Sequence, residues 1–92
     1  MTQEQTAAPF ELRDAFAFVL AGAREHLPDG EDREIVEDCA REALAALDTG
    51  KEPPRRLVAT LKGILGDVAA GAGRGFGTSA AAWATDALSN LG

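Results

Sequence analysis

Ninety-two residues, with nine Lys and Arg against fifteen Asp and Glu and a formal net charge of -6, suit one domain and argue against nucleic acid, whose phosphates need a concentrated basic patch. At 46 % apolar and 26 % charged residues, the composition is that of a folding chain and not a disordered one. A single Cys excludes an internal disulfide, and the start MTQEQTAAPFELRD lacks the basic and apolar regions of a signal peptide. The longest uncharged run, Gly75 to Thr85, falls well short of the roughly 20 residues a membrane span needs, so a cytoplasmic protein without a conventional span is expected.

Residues 1–9 are polar or small and end in Pro9, which predicts a disordered N-terminal lead ahead of a single helical domain over 10–92. Beyond it Leu12, Phe16, Val19, Leu20, Ala23 and Leu27 recur at three- and four-residue steps, the period that stacks side chains on one helix face. A first helix over about 10–27 follows, stopped by Pro28. Ala15 and Phe18 widen its apolar stripe, which implies more than one neighbouring helix.

A second helix is predicted over about 31–49. Asp29 or Asp32 is placed to cap it, and Glu31, Asp32 and Glu34 sit where the positive end of the helix dipole favours carboxylates. Its apolar face is Val36, Ala40, Ala43, Leu44 and Leu47. Gly50 ends it, and Lys51-Glu52-Pro53-Pro54 is the clearest internal break. A third helix over about 54–70 carries Leu57, Val58, Leu61, Ile64, Leu65 and Val68 at helical spacing. Gly63 and Gly66 inside it each cost up to about 1 kcal/mol relative to Ala, and are read as a groove where another backbone approaches.

The stretch Gly71 to Gly77 invites comparison with phosphate-binding loops, but the spacing fails. A dinucleotide fingerprint would need Gly where Phe76 or Thr78 stands, and a P-loop would need a Lys. A connecting loop or helix-ending turn is expected; a tight helix contact through Gly71/Gly75 or Gly73/Gly77, and anion binding, are the weaker alternatives. Thr78 or Ser79 then caps a fourth helix over 78–91, with Ala80, Trp83, Ala84, Ala87, Leu88 and Leu91 inward. The fold class is therefore all-α, a compact bundle of four main helices, with extra short helical turns left open. Trp83 is expected to fill its centre against Phe16 or Phe18, the alternative being an exposed binding anchor.

Residues that carry chemistry are few. His26 stands alone near a helix end, with no second His at metal-ligand spacing, so a capping or surface role is expected and no metal site. Cys39 reads as a small buried hydrophobe whose acidic neighbours Glu37 and Asp38 oppose thiolate formation. The carboxylates from Asp29 to Asp38 lack the ligand alternation of a calcium loop. No nucleophile, base and orienting group come together, so no enzyme, catalytic residue or cofactor is expected.

What remains is the distribution of charge. Residues 1–54 hold thirteen Asp and Glu against five Lys and Arg, a net of -8, whereas residues 55–92 hold two against four, a net of +2. This predicts a protein–protein interaction module with an acidic surface of Glu31, Asp32, Glu34, Glu37 and Asp38 and a basic surface of Arg55, Arg56, Lys62 and Arg74. Its partner is another copy or a larger effector protein. If the two surfaces lie on opposite sides, copies associate head to tail; if side by side, the pairing is internal and adds only about 0–1 kcal/mol.

By size and helical content the chain is comparable with death-fold adaptor modules, including those attached to bacterial immune effectors, which have six helices. A membrane-active role for the Gly/Ala-rich residues 57–92, with Phe76 and Trp83, is the other alternative; Asp67 and Asp86 count against it. High Ala and a preference for Arg over Lys resemble a GC-rich bacterial coding sequence.

Overall fold

In the computed structural model, residues 3–71 and 77–91 are described, with side chains from Leu12 onward. They form four helices, α1 (Gln3–His26), α2 (Glu31–Asp48), α3 (Arg55–Ala69) and α4 (Thr78–Leu91), and no strand among the described residues. Each helix packs on its neighbours in the chain, and α4 closes the ring onto α1. Short connections between consecutive helices give up-down-up-down topology. Cross-links between helices agree with it: Arg13, near the middle of α1, pairs with Asp48 at the end of α2, and Arg24, late in α1, pairs with Glu37 in the first half of α2. Four described helices fall short of the six in death-fold modules, and none is long and apolar enough to cross a membrane.

The apolar periodicity becomes the core. Phe16, Val19 and Ala23 of α1, with Leu27 just past its end, meet Val36, Ala40 and Ala43 of α2, Leu61, Leu65 and Val68 of α3, and Ala80, Trp83, Ala84 and Ala87 of α4. Fully burying a Leu, Val or Phe side chain contributes about 1.5–3 kcal/mol, so these few large residues carry most of the stabilisation while the alanines let the helices approach.

The helix ends follow local chemistry, with two departures from expectation. Helix α1 begins at Gln3, ahead of the start expected near residue 10. Gln, Glu and Ala ahead of Pro9 are strong helix formers, whereas Pro9 itself removes a backbone donor and crowds the carbonyl four residues back. Met1 and Thr2 of the expected lead lie outside the described residues. At α2 the capping residue is Gly30, with no side-chain cap, because Asp29 is drawn to Arg33 instead, 2.7 Å away.

The other end of α2 behaves as the sequence implies. Gly50 takes φ 79° and donates to the Leu47 carbonyl at 3.0 Å, while Lys51 donates to the Ala46 carbonyl at 2.9 Å. These two bonds satisfy carbonyls the helix would leave unpaired. Gly71, with φ 63°, likewise ends α3 by donating to the Val68 carbonyl at 2.9 Å, so the glycine-rich segment begins as a helix-ending turn. A Cβ added at Gly71 or Gly77 meets nothing within 4 Å, so neither makes a close helix contact with described residues. Ala72 to Phe76, including Gly73, Arg74 and Gly75, lie outside the described residues.

The close approach read at Gly63 and Gly66 is corrected: a Cβ at either meets nothing within 4 Å. The tight contact is at Gly22 of α1, where a Cβ would stand 1.8 Å from the Trp83 indole nitrogen. Trp83 is buried as expected, in one core cluster with Phe16, and its indole lies on Gly22. Its Nε1–H donates to the Phe18 backbone carbonyl at 3.3 Å, and its ring stacks on His26 with centroids 5.6 Å apart. Phe18 turns its own side chain outward, 40 % exposed.

Gly22→Ala should destabilise the fold by about 1–3 kcal/mol in urea unfolding, because overpacking against a buried indole outweighs the gain in helix propensity. Gly63→Ala, facing open space, should stabilise it by up to about 1 kcal/mol.

Candidate functional site

Adjacent helices run antiparallel, so the start of α2 and the start of α3 lie at opposite ends of the bundle, about 25 Å apart for helices of this length. The first is acidic and the second basic. At physiological salt the screening length is about 8 Å, so the two ends do not pair within one molecule.

At the acidic end the carboxylates divide into two groups. Glu37 lies one turn after Arg33 and one turn before Arg41, and α1 brings Arg24 alongside. The three guanidinium groups stand 3.3, 3.8 and 3.6 Å from its carboxylate, whose side chain is only 14 % exposed. Asp38 pairs with Arg41 at 3.0 Å. Glu37 and Asp38 are thus engaged within the chain. Glu31, Asp32 and Glu34 occupy the exposed first turn of α2, where the helix dipole favours them, and make no ion pair among the described residues.

At the basic end, Arg55 and Arg56 are the described residues of the expected surface that stand at the helix start. Arg55 and Arg56 are the first two residues of α3, both exposed, with no acidic residue in that first turn and no ion pair among the described residues. Lys62 is half-buried and about 10 Å further along the helix axis, so it belongs to the flank and not to the end. Arg74 lies outside the described residues. The neighbouring connection adds exposed Lys51 and Glu52, and Arg13 is already paired with Asp48. Cations at a helix N-terminus oppose the dipole by about 0.3–1 kcal/mol each, so Arg55 and Arg56 occupy positions that helix stability alone would not select.

Sequence reasoning missed the arginines that neutralise Glu37. The Arg33–Glu37–Arg41 spacing of four was legible as a one-turn repeat; Arg24 required knowing that α1 and α2 are antiparallel.

The residues with chemical potential are otherwise engaged in packing. His26 is held against Trp83, with Nε2 4.0 Å from a Glu25 carboxylate oxygen. No group of three His, Cys, Asp or Glu able to hold a metal occurs among the described residues. Cys39 is half-buried against the core; burial pushes its thiol pKa above the ordinary value, with Glu42 and then Asp38 adding to the shift. No protein-family model, curated protein or solved structure matches the chain.

Two outcomes follow. Iodoacetamide at mildly alkaline pH should label Cys39 at least about tenfold more slowly in the folded protein than in urea, because the reactive thiolate is suppressed and shielded. Glu37→Gln should cost about 1–2 kcal/mol in thermal unfolding, since it weakens charge-assisted contacts to three arginines, whereas Asp38→Asn at an exposed pair should shift stability by less than about 0.5 kcal/mol.

Proposed function

We propose that this chain is a non-enzymatic interaction module that self-associates head to tail, the exposed Glu31, Asp32 and Glu34 of one copy receiving Arg55 and Arg56 of the next. The observation that carries this reading is the position of the two arginines. They are exposed, without an ion pair among the described residues, at a helix terminus that disfavours them, and at the bundle end opposite the carboxylates. Residues that run against their local structural preference are expected where a site serves something other than the helix itself.

Arg reads carboxylates through two parallel hydrogen bonds, which gives the contact direction as well as attraction. Because the two surfaces differ, the contact is heterologous and propagates into rings or filaments unless a partner caps it. The same ends serve equally for docking onto a larger effector protein, and in that setting the module is an adaptor. A bacterial cytoplasm fits its Ala- and Arg-rich composition and its lone thiol.

The double variant Arg55→Glu/Arg56→Glu separates function from stability. Removing cations from a helix N-terminus and replacing them with carboxylates should raise monomer stability by about 0.5–2 kcal/mol, while the same change abolishes association. Light scattering coupled to size exclusion reads the second effect: the unaltered protein should grow beyond a monomer at low salt and shrink as salt is added. A monomer at every concentration and salt, or assembly indifferent to the double variant, would contradict the proposal.

A further inference from the structure

A second surface runs lengthwise along the outer side of the bundle where α1 and α4 meet, from Asp14 and Asn90 to Glu25 and Ser79 at the end that also carries the start of α2. Two shallow depressions of about 530 and 350 Å³ adjoin there, and Phe18 lines both, standing between them as a ridge. Among the described residues Phe18 is the one large apolar side chain that is exposed. The larger depression is lined by Gly22 and Trp83, with Ala21 and Ala82 beside them. Small side chains on both helices let another backbone come close, and a crevice between two helices is the natural seat for the ridge of a third.

The charge around this crevice has one sign. Glu25 and Asp86 border the larger depression and Asp14 the smaller one, and no Lys or Arg lines either. None of the three pairs with a Lys or Arg among the described residues; Glu25 has only His26, 4.0 Å away. Asp86 is the single charged residue of α4, and it faces this groove. On α1 the lining runs from Asp14 to His26 and on α4 from Ser79 to Asn90, in each case about 17 Å, or three helical turns.

We propose that this groove seats an amphipathic helix of a partner protein, some three turns long, with apolar residues clasping Phe18 and Lys or Arg along its edges reaching Asp14, Glu25 and Asp86. Charge complementarity selects this occupant. A second copy related by a twofold axis would set one acidic rim against another, which is unfavourable, and an anionic membrane surface is repelled in the same way. The groove lies on the α1/α4 side of the bundle, uses none of Glu31, Asp32, Glu34, Arg55 and Arg56, and does not depend on self-association.

The test uses the full chain and a fluorescein-labelled Leu/Lys amphipathic peptide of about three to four helical turns, with its Leu/Glu counterpart as control. Anisotropy reports affinity, and the emission of Trp83, the only Trp in the chain, reports the site. The Leu/Lys peptide should bind and shift the Trp83 emission, and the Leu/Glu peptide should not. Phe18→Ser and Glu25→Lys/Asp86→Lys, each shown to be helical by circular dichroism, should weaken binding at least about tenfold, whereas Glu31→Lys/Asp32→Lys should change it less than about threefold. Binding that survives Phe18→Ser, or that weakens equally on reversing Glu31 and Asp32, would reduce the effect to attraction between opposite charges and overturn the proposal. So would absence of Leu/Lys binding. Loss of self-association in Phe18→Ser would overturn it in favour of a second copy as the occupant.

Discussion

The Trp83 indole rests on the one position of α1 that has no side chain to displace it, and the closure of the bundle depends on that contact. A Cβ at Gly22 would overlap the ring, and the Phe18 carbonyl accepts the indole N–H. A Trp buries about 150–250 Å², worth about 4–6 kcal/mol at 25 cal/mol per Å², as an upper bound. Set against the 5–15 kcal/mol by which small domains are typically stable, that is a large share from one residue. Helix α4 is otherwise built on Ala, with half-buried Leu88 and Leu91 at its end. Without Trp83 in place it would have little with which to hold α1.

Short connections set the alternation of helix directions, and the alternation decides where charge is displayed. Glu31, Asp32 and Glu34 at the start of α2 agree with the dipole of their own helix, and Glu37 behind them is drawn into a cage of three arginines. Arg55 and Arg56 at the start of α3 disagree with theirs. The two ends differ in kind: one is acidic by local preference, the other basic against it. The groove beside Phe18 and Trp83, between α1 and α4, adds a third surface.

The buried faces of all four helices were legible from the three- and four-residue recurrence of apolar side chains, since Phe16, Val36, Leu61 and Ala84 are all buried where that pattern puts them. The turn at Gly50 was legible for a local reason, the left-handed conformation that ends a helix. Features that depend on a neighbouring helix were not legible. Gly22, Gly63 and Gly66 all look alike as glycines within helical patterns, and only the position of α4 separates the one beneath a tryptophan from the two in open space. Capping of α2 was misread because Asp29 has a competing partner in Arg33. Of the charged surfaces, the residue types could be read directly, but separation of Arg55 and Arg56 from the acidic turn by the length of a helix follows only from topology.

Head-to-tail association requires the two ends to be complementary and different, and a mixing experiment addresses this most directly. One variant carries Glu31→Gln/Asp32→Asn/Glu34→Gln and keeps its basic end; the other carries Arg55→Gln/Arg56→Gln and keeps its acidic end. Sedimentation velocity at low salt should find each variant monomeric alone and a 1:1 dimer on mixing that grows no further, since each copy then offers one competent end. Variants that assemble alone as the unaltered chain does, or a mixture that stays monomeric, would contradict the account.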